Sequence, residues 1–128
     1  MNLGFSTLGC PAWPWQKILD AASALGYDGI SLRGIGDVLQ DLTQAEPFRP
    51  ENISATKAEL SRRGLAICCL DTSVSFHDAA ATDAMLASGR THIDLAARLG
   101  AGRIRVFGNK IPAGETEAEV MEIGRAHV

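Results

Sequence analysis

The apolar and polar positions of this chain repeat one pattern: an amphipathic helix, a glycine and a short apolar strand. The pattern is clearest in residues 99–108 (LGAGRIRVFG), and residues 25–34 (LGYDGISLRG) and 63–71 (RGLAICCLD) follow it. The glycines that end the predicted helices stand at positions 26, 64 and 100, so the spacing is nearly constant. Such a repeat predicts that one supersecondary unit recurs along the chain.

The first half of the chain predicts two of these units. Alternating residues in 2–8 indicate a first strand, and Pro14 fits the first turn of a helix that carries apolar residues at helical spacing. Residues 29–32 predict a second strand, and a long polar connection then runs to about Pro50. A second helix is expected over residues 51–63.

The second half predicts two more units. Residues 65–70 form a continuous apolar run, as expected for a strand covered on both faces, and the polar residues 71–78 are expected to form the loop after it. A third helix is predicted over 82–99 and a fourth strand over 103–107. Thr116, with a glutamate three residues later, is typical of a capping box and begins a fourth helix.

Strands that alternate with helices in this way specify parallel pairing with right-handed crossovers. Two architectures fit this order, an open doubly wound sheet and a slice of an eight-stranded (β/α)8 TIM barrel, and periodicity alone does not separate them. Four units at this spacing would double to a barrel of about 250 residues. The fold class that we predict is therefore α/β: a partial TIM barrel made of its first four βα units with parallel strands.

Composition narrows the class of protein. The chain has 128 residues, of which 46% are apolar, enough for the core of one domain. Its net charge of -3, with both signs interspersed, predicts no nucleic-acid partner and no membrane partner. No signal peptide or spanning run occurs, so the expected location is cytoplasmic. The three cysteines are odd in number, and two of them are adjacent within an apolar run, which favours free thiols over disulfides. Cys68 and Cys69 are expected to be buried core thiols, and Cys10 stands apart from them.

Residues 122–128 (EIGRAHV) break the amphipathic pattern of the helix that has just begun. The codons GAG ATC GGA AGA GCA CAC GTC of a sequencing adapter encode these seven residues, and the next adapter codon, TGA, is a stop. We therefore expect a native domain over residues 1–121 and a non-native, adapter-derived tail over 122–128. A chance helix tail is the alternative.

Residues 4–11 (GFSTLGCP), 26–34 (GYDGISLRG), 70–74 (LDTSV) and 103–108 (RIRVFG) together resemble the sugar-phosphate isomerase/epimerase group of the xylose-isomerase-like TIM barrels. The resemblance covers nearly all of residues 1 to 121. It implies an eight-stranded barrel with a divalent metal ion held by carboxylates and a histidine on the later strands. Those strands are not in this chain, so the resemblance places no metal ligand on any residue here.

Active sites of barrels lie at the carboxyl ends of the strands, which defines the candidate residues. Alternation along the strands turns Arg33 and Arg105 away from the aliphatic face and towards the barrel interior or its mouth. Each arginine then binds a substrate phosphate or carboxylate, or pairs with Asp71, and both readings stay open. The substrate-binding candidates in this chain are Ser6, Arg33, Asp71, Ser73, His77, Arg105 and Asn109.

The resemblance implies the amino-terminal half of a metal-dependent sugar or sugar-phosphate isomerase/epimerase, which moves a proton next to a carbonyl or hydroxyl group. The catalytic residues are expected beyond the end of this chain, so the chain alone is expected to be inactive. A half barrel also leaves open edges that favour self-association as a homo-oligomer. Two other classes remain: an abasic-site endonuclease barrel and a non-catalytic small-molecule-binding barrel domain.

Overall fold

The computed structural model describes residues 1–36, 38, 41–108, 111 and 113–125, without the side chains of 123–125. The strands are β1 (Gly4–Ser6), β2 (Gly29–Leu32), β3 (Ala66–Ser75) and β4 (Ile104–Phe107). The helices are α1 (Trp15–Ala24), α2 (Ile53–Arg63), α3 (Thr82–Leu99) and α4 (Glu117–Arg125). Short 3-10 helices occupy Thr7–Gly9, Leu42–Gln44, Glu46–Phe48 and Ala79–Ala81. All strand pairs are parallel, and the sheet order is β1-β2-β3-β4.

The repeated glycines end the helices as predicted. Gly64 and Gly100 follow α2 and α3 with φ of 67° and 79°, and their N–H groups donate to carbonyls of the preceding turn. Gly26 has φ of 72° just beyond α1. This left-handed conformation is unfavourable for residues that carry a Cβ, so glycine is the residue that can stop each helix and turn the chain back to the sheet.

The helices cover one face of the sheet. Ile30 and Leu32 of β2 are fully buried, and Ile67 and Leu70 of β3 are at most 4% exposed. These side chains belong to one core with apolar residues of three helices, namely Ile18, Leu19, Ala22, Ile53, Leu60, Leu95, Ala96 and Leu99. Burial of this face supplies the main hydrophobic stabilisation of the chain.

The opposite face of the sheet is open. Ser6, Cys68, Ser73 and Arg105 are exposed although each lies within a strand. A doubly wound sheet carries helices on both faces and reverses its strand order. This sheet keeps sequential order and covers one face, as in a barrel wall, so the structure favours the partial TIM barrel over the open sheet.

The strand β3 is longer than predicted. Residues 71–75 were expected in a loop, but the strand continues through Ser75. Thr72 and Val74 are at most 1% exposed on the covered face, while Ser73 is exposed on the other. The polar residues therefore alternate sides within a strand, which is how the open face of a barrel wall becomes polar near its carboxyl end.

The prediction that Cys68 and Cys69 are core thiols is wrong for Cys68, which is exposed, while Cys69 is half-buried. The register between β2 and β3 shifts beside these cysteines, so β3 carries one extra residue there. A bulge of this kind breaks the simple alternation of faces. The Cys68 sulfur then lies 3.6 Å from the positions that a Cβ would take on Gly4 and Gly29, on the open face.

The fourth helix begins at the predicted capping box. The Thr116 N–H donates to Glu119 Oε2 at 2.7 Å, and the Glu119 N–H donates to Thr116 Oγ1 at 3.4 Å. The helix continues to Arg125, past the point where the sequence pattern breaks. That residues 122–128 are non-native stays a prediction. Among the described residues, no helix has the length and apolar character needed to cross a bilayer.

Candidate functional site

A polar cluster lies on the open face at the carboxyl ends of the three strands β2, β3 and β4. Each strand contributes residues of one alternating set, because alternate side chains of a strand point to the same face. The parallel register places Ser31 beside Cys69 and Asp71 beside Arg105. The cluster consists of Ser31, Arg33, Cys69, Asp71, Ser73, Arg105 and Phe107.

Asp71 is the centre of this cluster. It is only 3% exposed, and its Oδ1 accepts a hydrogen bond from Ser31 Oγ at 3.2 Å. Its Oδ2 lies 3.7 Å from Arg105 Nη1, so the structure contains the predicted pairing of Arg105 with Asp71. A buried carboxylate needs such partners, because an unpaired buried charge is costly.

Two arginines lie near the aromatic ring of Phe107. The Arg105 guanidinium lies 4.6 Å from the ring centroid and that of Arg33 lies 6.0 Å away. Arg33 also donates from Nη2 to Ser73 Oγ at 3.1 Å and from Nη1 to the Asp71 carbonyl at 3.5 Å. The ring holds both cations at the mouth of the sheet by cation–π attraction.

The backbone of Arg33 is fixed by Thr7, which follows the neighbouring strand β1. The Arg33 N–H donates to Thr7 Oγ1 at 2.8 Å, and the Gly34 N–H donates to the same oxygen at 3.1 Å. Thr7 is fully buried, just after β1. One threonine hydroxyl therefore sets where β2 ends and where Arg33 projects.

The surroundings of Cys69 and Cys10 do not activate their thiols. Burial raises the pKa of the Cys69 thiol, and the hydrogen bond and charge of Asp71 raise it further, against a lowering effect of Ser31. Burial likewise raises the pKa of Cys10, with Lys17 opposing it. Because the thiolate is the nucleophile, these cysteines are poor candidates for covalent catalysis.

The remaining candidates lie outside the central contacts. Ser6 is at the level of Ser31 in the β1–β2 register, but its Oγ accepts from the Leu8 N–H at 3.2 Å and caps the 3-10 helix after β1. His77 is half-buried two residues beyond β3, and its Nδ1 is enclosed without a hydrogen-bond partner. Asn109 lies outside the described residues.

Sequence reasoning did not select three members of the cluster. Ser31 and Phe107 share the faces of Arg33 and Arg105 by simple alternation, and that signal could have found them. Cys69 lies two residues before Asp71, so alternation from Asp71 also places it on this face, and the bulge in β3 lies on its amino-terminal side.

The described residues do not fit a metal site. No three His, Cys, Asp or Glu side chains within them come together as ligands. Asp71 is the one carboxylate of the cluster, and its described partners are a hydroxyl, a thiol and a guanidinium. Within the described residues, the cluster therefore offers hydrogen-bonding and charged groups, and no set of metal ligands.

A sequence profile of the family described as xylose isomerase-like TIM barrel matches residues 19–125. The chain belongs to this family. No curated protein shows significant similarity to the chain.

Two solved structures have a similar fold. The probable 3-DHS dehydratase AsbF of Bacillus anthracis, involved in petrobactin synthesis, has a TM-score of 0.75 at 21% identity, over 98% of this chain and 45% of its own. A xylose isomerase domain protein of Planctomyces limnophilus has a TM-score of 0.60 at 12% identity, over 85% and 42%. The chain spans less than half the length of either protein. The likeness confirms the partial TIM barrel fold.

Proposed function

We propose that this chain is the amino-terminal half of a metal-dependent barrel enzyme that isomerises or epimerises a sugar or sugar phosphate. The observation that carries the proposal is the cluster of Arg33, Asp71, Ser73 and Arg105 at the carboxyl ends of adjacent strands. Barrel enzymes bind their substrates at this end. Membership of the xylose isomerase-like family supports the same assignment.

In this proposal Arg105 binds an anionic group of the substrate. Its side chain is 48% exposed, and its distance of 3.7 Å from Asp71 is longer than the 2.7–2.9 Å typical of a charge-assisted hydrogen bond. The guanidinium therefore keeps donors for a phosphate or carboxylate while Asp71 and Phe107 hold it in place. The exposed Ser73 hydroxyl is placed to bond a substrate hydroxyl.

The proton transfer itself is assigned to residues outside this chain. A divalent ion, which the resemblance implies, polarises substrate oxygens when bound, and its ligands are proposed on the later strands. The residues described here bind and orient the substrate beside that centre. Accordingly, we expect the 128-residue chain alone to be inactive.

A dehydratase is a second candidate, because one of the two similar structures is a probable dehydratase. Removal of a proton from carbon beside a carbonyl is a first step common to isomerisation and to loss of a β-hydroxyl group. The two reactions therefore place the same demand on Arg105 and Ser73, namely to hold an oxygenated small molecule in one orientation.

The test uses a protein that carries the complete barrel. Metal-dependent exchange of a substrate C–H proton with deuterated solvent, followed by NMR, is the expected result, and elimination of water would identify the dehydratase. Arg105→Gln is expected to lower kcat/KM for a phosphorylated or carboxylated substrate by about 10- to 100-fold, as loss of a charged hydrogen bond predicts. Arg103→Gln, an exposed arginine two residues earlier, is the matched control. Phosphodiester cleavage without C–H exchange would instead establish a nuclease.

A further inference from the structure

The pairing between β3 and β4 is irregular near their carboxyl ends. Asp71 is the partner of Arg105 in this register. Further along, Ser75 is the partner of Phe107. Between the two pairs β3 advances by four residues and β4 by two, so β3 carries two extra residues. Regular parallel pairing would instead place Ser73 beside Phe107. Residues 72–74 therefore form a bulge, which we call the 72–74 bulge, within the candidate site.

A threonine hydroxyl closes the 72–74 bulge. Thr72 is fully buried, and its Oγ1 donates to the Arg105 carbonyl at 2.8 Å. The same Oγ1 accepts the N–H of Val74 at 3.1 Å. A buried N–H needs an acceptor, because leaving it unpaired is costly. One side chain thus links the extra residues of β3 to the backbone of Arg105 on β4.

The side chain of Arg105 depends on the strand register on both sides of this bulge. Its Nη1 lies 3.7 Å from Asp71 Oδ2, and Asp71 precedes the bulge. Its guanidinium lies 4.6 Å from the centroid of the Phe107 ring, and Phe107 pairs with β3 beyond the bulge. Bulges next to active sites commonly re-aim a side chain in this way. A change in the bulge would therefore alter both contacts that hold the guanidinium.

Given the proposed function, we propose that Thr72 is a positioning residue that holds Arg105 in the orientation that binds the anionic group of the substrate. The Thr72 side chain lies on the covered face of the sheet, so it acts through the Arg105 backbone without touching the substrate. Val74, on the same covered face, shows that an apolar side chain suits this layer. Threonine has nearly the shape of valine, and its hydroxyl adds the donor and the acceptor that the bulge uses.

The first test is kinetic and uses a protein that carries the complete barrel. Thr72→Val is expected to raise KM for a phosphorylated or carboxylated substrate by about 5- to 20-fold while kcat changes less than about twofold, because the weakened contact binds ground and transition states alike. Thr72→Ser keeps the hydroxyl and is expected to have a KM within about twofold of the wild type. An unchanged KM in Thr72→Val, or a serine variant no better than the valine variant, would overturn the proposal.

Thr56→Val is the matched control. Thr56 is also buried, and its Oγ1 donates to the Pro47 carbonyl at 2.6 Å, where α2 meets the connection from β2. This variant likewise loses a buried hydroxyl bond to a carbonyl, but its KM is expected to stay unchanged. Equal rises of KM in the two valine variants would show that lost stability alone is responsible, and would overturn the proposal. Thr72→Ala is measured in parallel and is expected to raise KM as valine does, which covers the case that the valine variant does not fold.

A double-mutant cycle tests whether Thr72 acts through Arg105. In a protein that already carries Arg105→Gln, Thr72→Val is expected to raise KM by less than about a further twofold, because the group that it positions is gone. If the two substitutions raise KM independently, so that their effects multiply, Thr72 does not act through Arg105 and the proposal is wrong.

A spectroscopic test does not depend on the reaction. In ¹H–¹⁵N NMR spectra of the same proteins, Thr72→Val is expected to shift the Arg105 Nε–H resonance, whereas Thr72→Ser and Thr56→Val leave it in place. An Arg105 resonance that Thr72→Val does not move would overturn the positioning role whatever the enzyme catalyses. A shifted resonance in a barrel that catalyses neither C–H exchange nor loss of water would refute the proposed function and leave the orientation of Arg105 by Thr72 supported.

Discussion

Replacement of Thr7 by valine tests whether one hydroxyl fixes the end of β2. Valine has the same shape but cannot accept the N–H groups of Arg33 and Gly34, which lie 2.8 and 3.1 Å from Thr7 Oγ1. A buried donor left without a partner costs about 1–3 kcal/mol, and Arg33 retains some contact with solvent. We therefore expect Thr7→Val to lower the free energy of unfolding by about 2–4 kcal/mol, a large share of the roughly 5–15 kcal/mol of an ordinary domain.

The assay is urea denaturation at one fixed protein concentration, because association contributes to apparent stability. Thr91→Val is the matched control. The Thr91 hydroxyl donates to the Ala87 carbonyl at 3.0 Å on the exposed side of α3, so its loss leaves no buried group unpaired. The control is expected to change stability by less than about 0.5 kcal/mol. Equal effects of the two substitutions would refute the role given to Thr7.

Three further outcomes follow from the structure. Gly64→Ala is expected to cost about 1 kcal/mol by urea denaturation, because the site has φ of 67° while no atom crowds the new methyl group; an unchanged midpoint would contradict the helix stop. The pKa of Glu59 is lowered in the folded state by hydrogen bonds from Arg63 and Arg62. The ionised Glu59 carboxylate therefore stabilises the fold at pH values above its ordinary pKa, and this stabilisation is lost as the pH falls through the pKa of the folded state. Glu59→Gln should therefore flatten the acid side of the stability profile, and an unaltered profile would count against these pairs. Iodoacetamide with tandem mass spectrometry should modify Cys68 before Cys69, because Cys68 is exposed and the pKa of Cys69 is raised; the reverse order would contradict the bulge.

Regular local signals in the sequence predicted most of the fold. The third helix, Thr82–Leu99, and the second strand, Gly29–Leu32, have the predicted bounds, since a glycine or a change of period marks their ends. The start of α4 follows from the Thr116 capping box. These features depend on residues within one turn or one strand, which is the range over which sequence patterns act.

The incorrect predictions, for residues 71–75 and for Cys68, have a common physical cause, which is the open face of the sheet. Residues 71–75 resemble a loop because Asp71 and Ser73 are polar, yet Thr72 and Val74 pack on the covered face and keep the strand regular. A polar inner face is a property of the whole barrel wall and has no local signature. The bulge that leaves Cys68 exposed on the open face likewise depends on pairing between distant segments.

The candidate site was predicted in part. Alternation along β2 and β4 placed Arg33 and Arg105 on one face, and the structure brings both to Asp71. The contacts of Thr7 with Arg33, and of Phe107 with both guanidinium groups, depend on the three-dimensional arrangement of the strands.

We interpret these four βα units as one wall of an eight-stranded barrel enzyme, and sequencing the gene at its source is the decisive experiment. We expect the reading frame to depart from the present sequence after about residue 121 and to continue through four more βα units, with Glu, Asp and His at the ends of strands five to eight. A native stop codon directly after Val128 would contradict it.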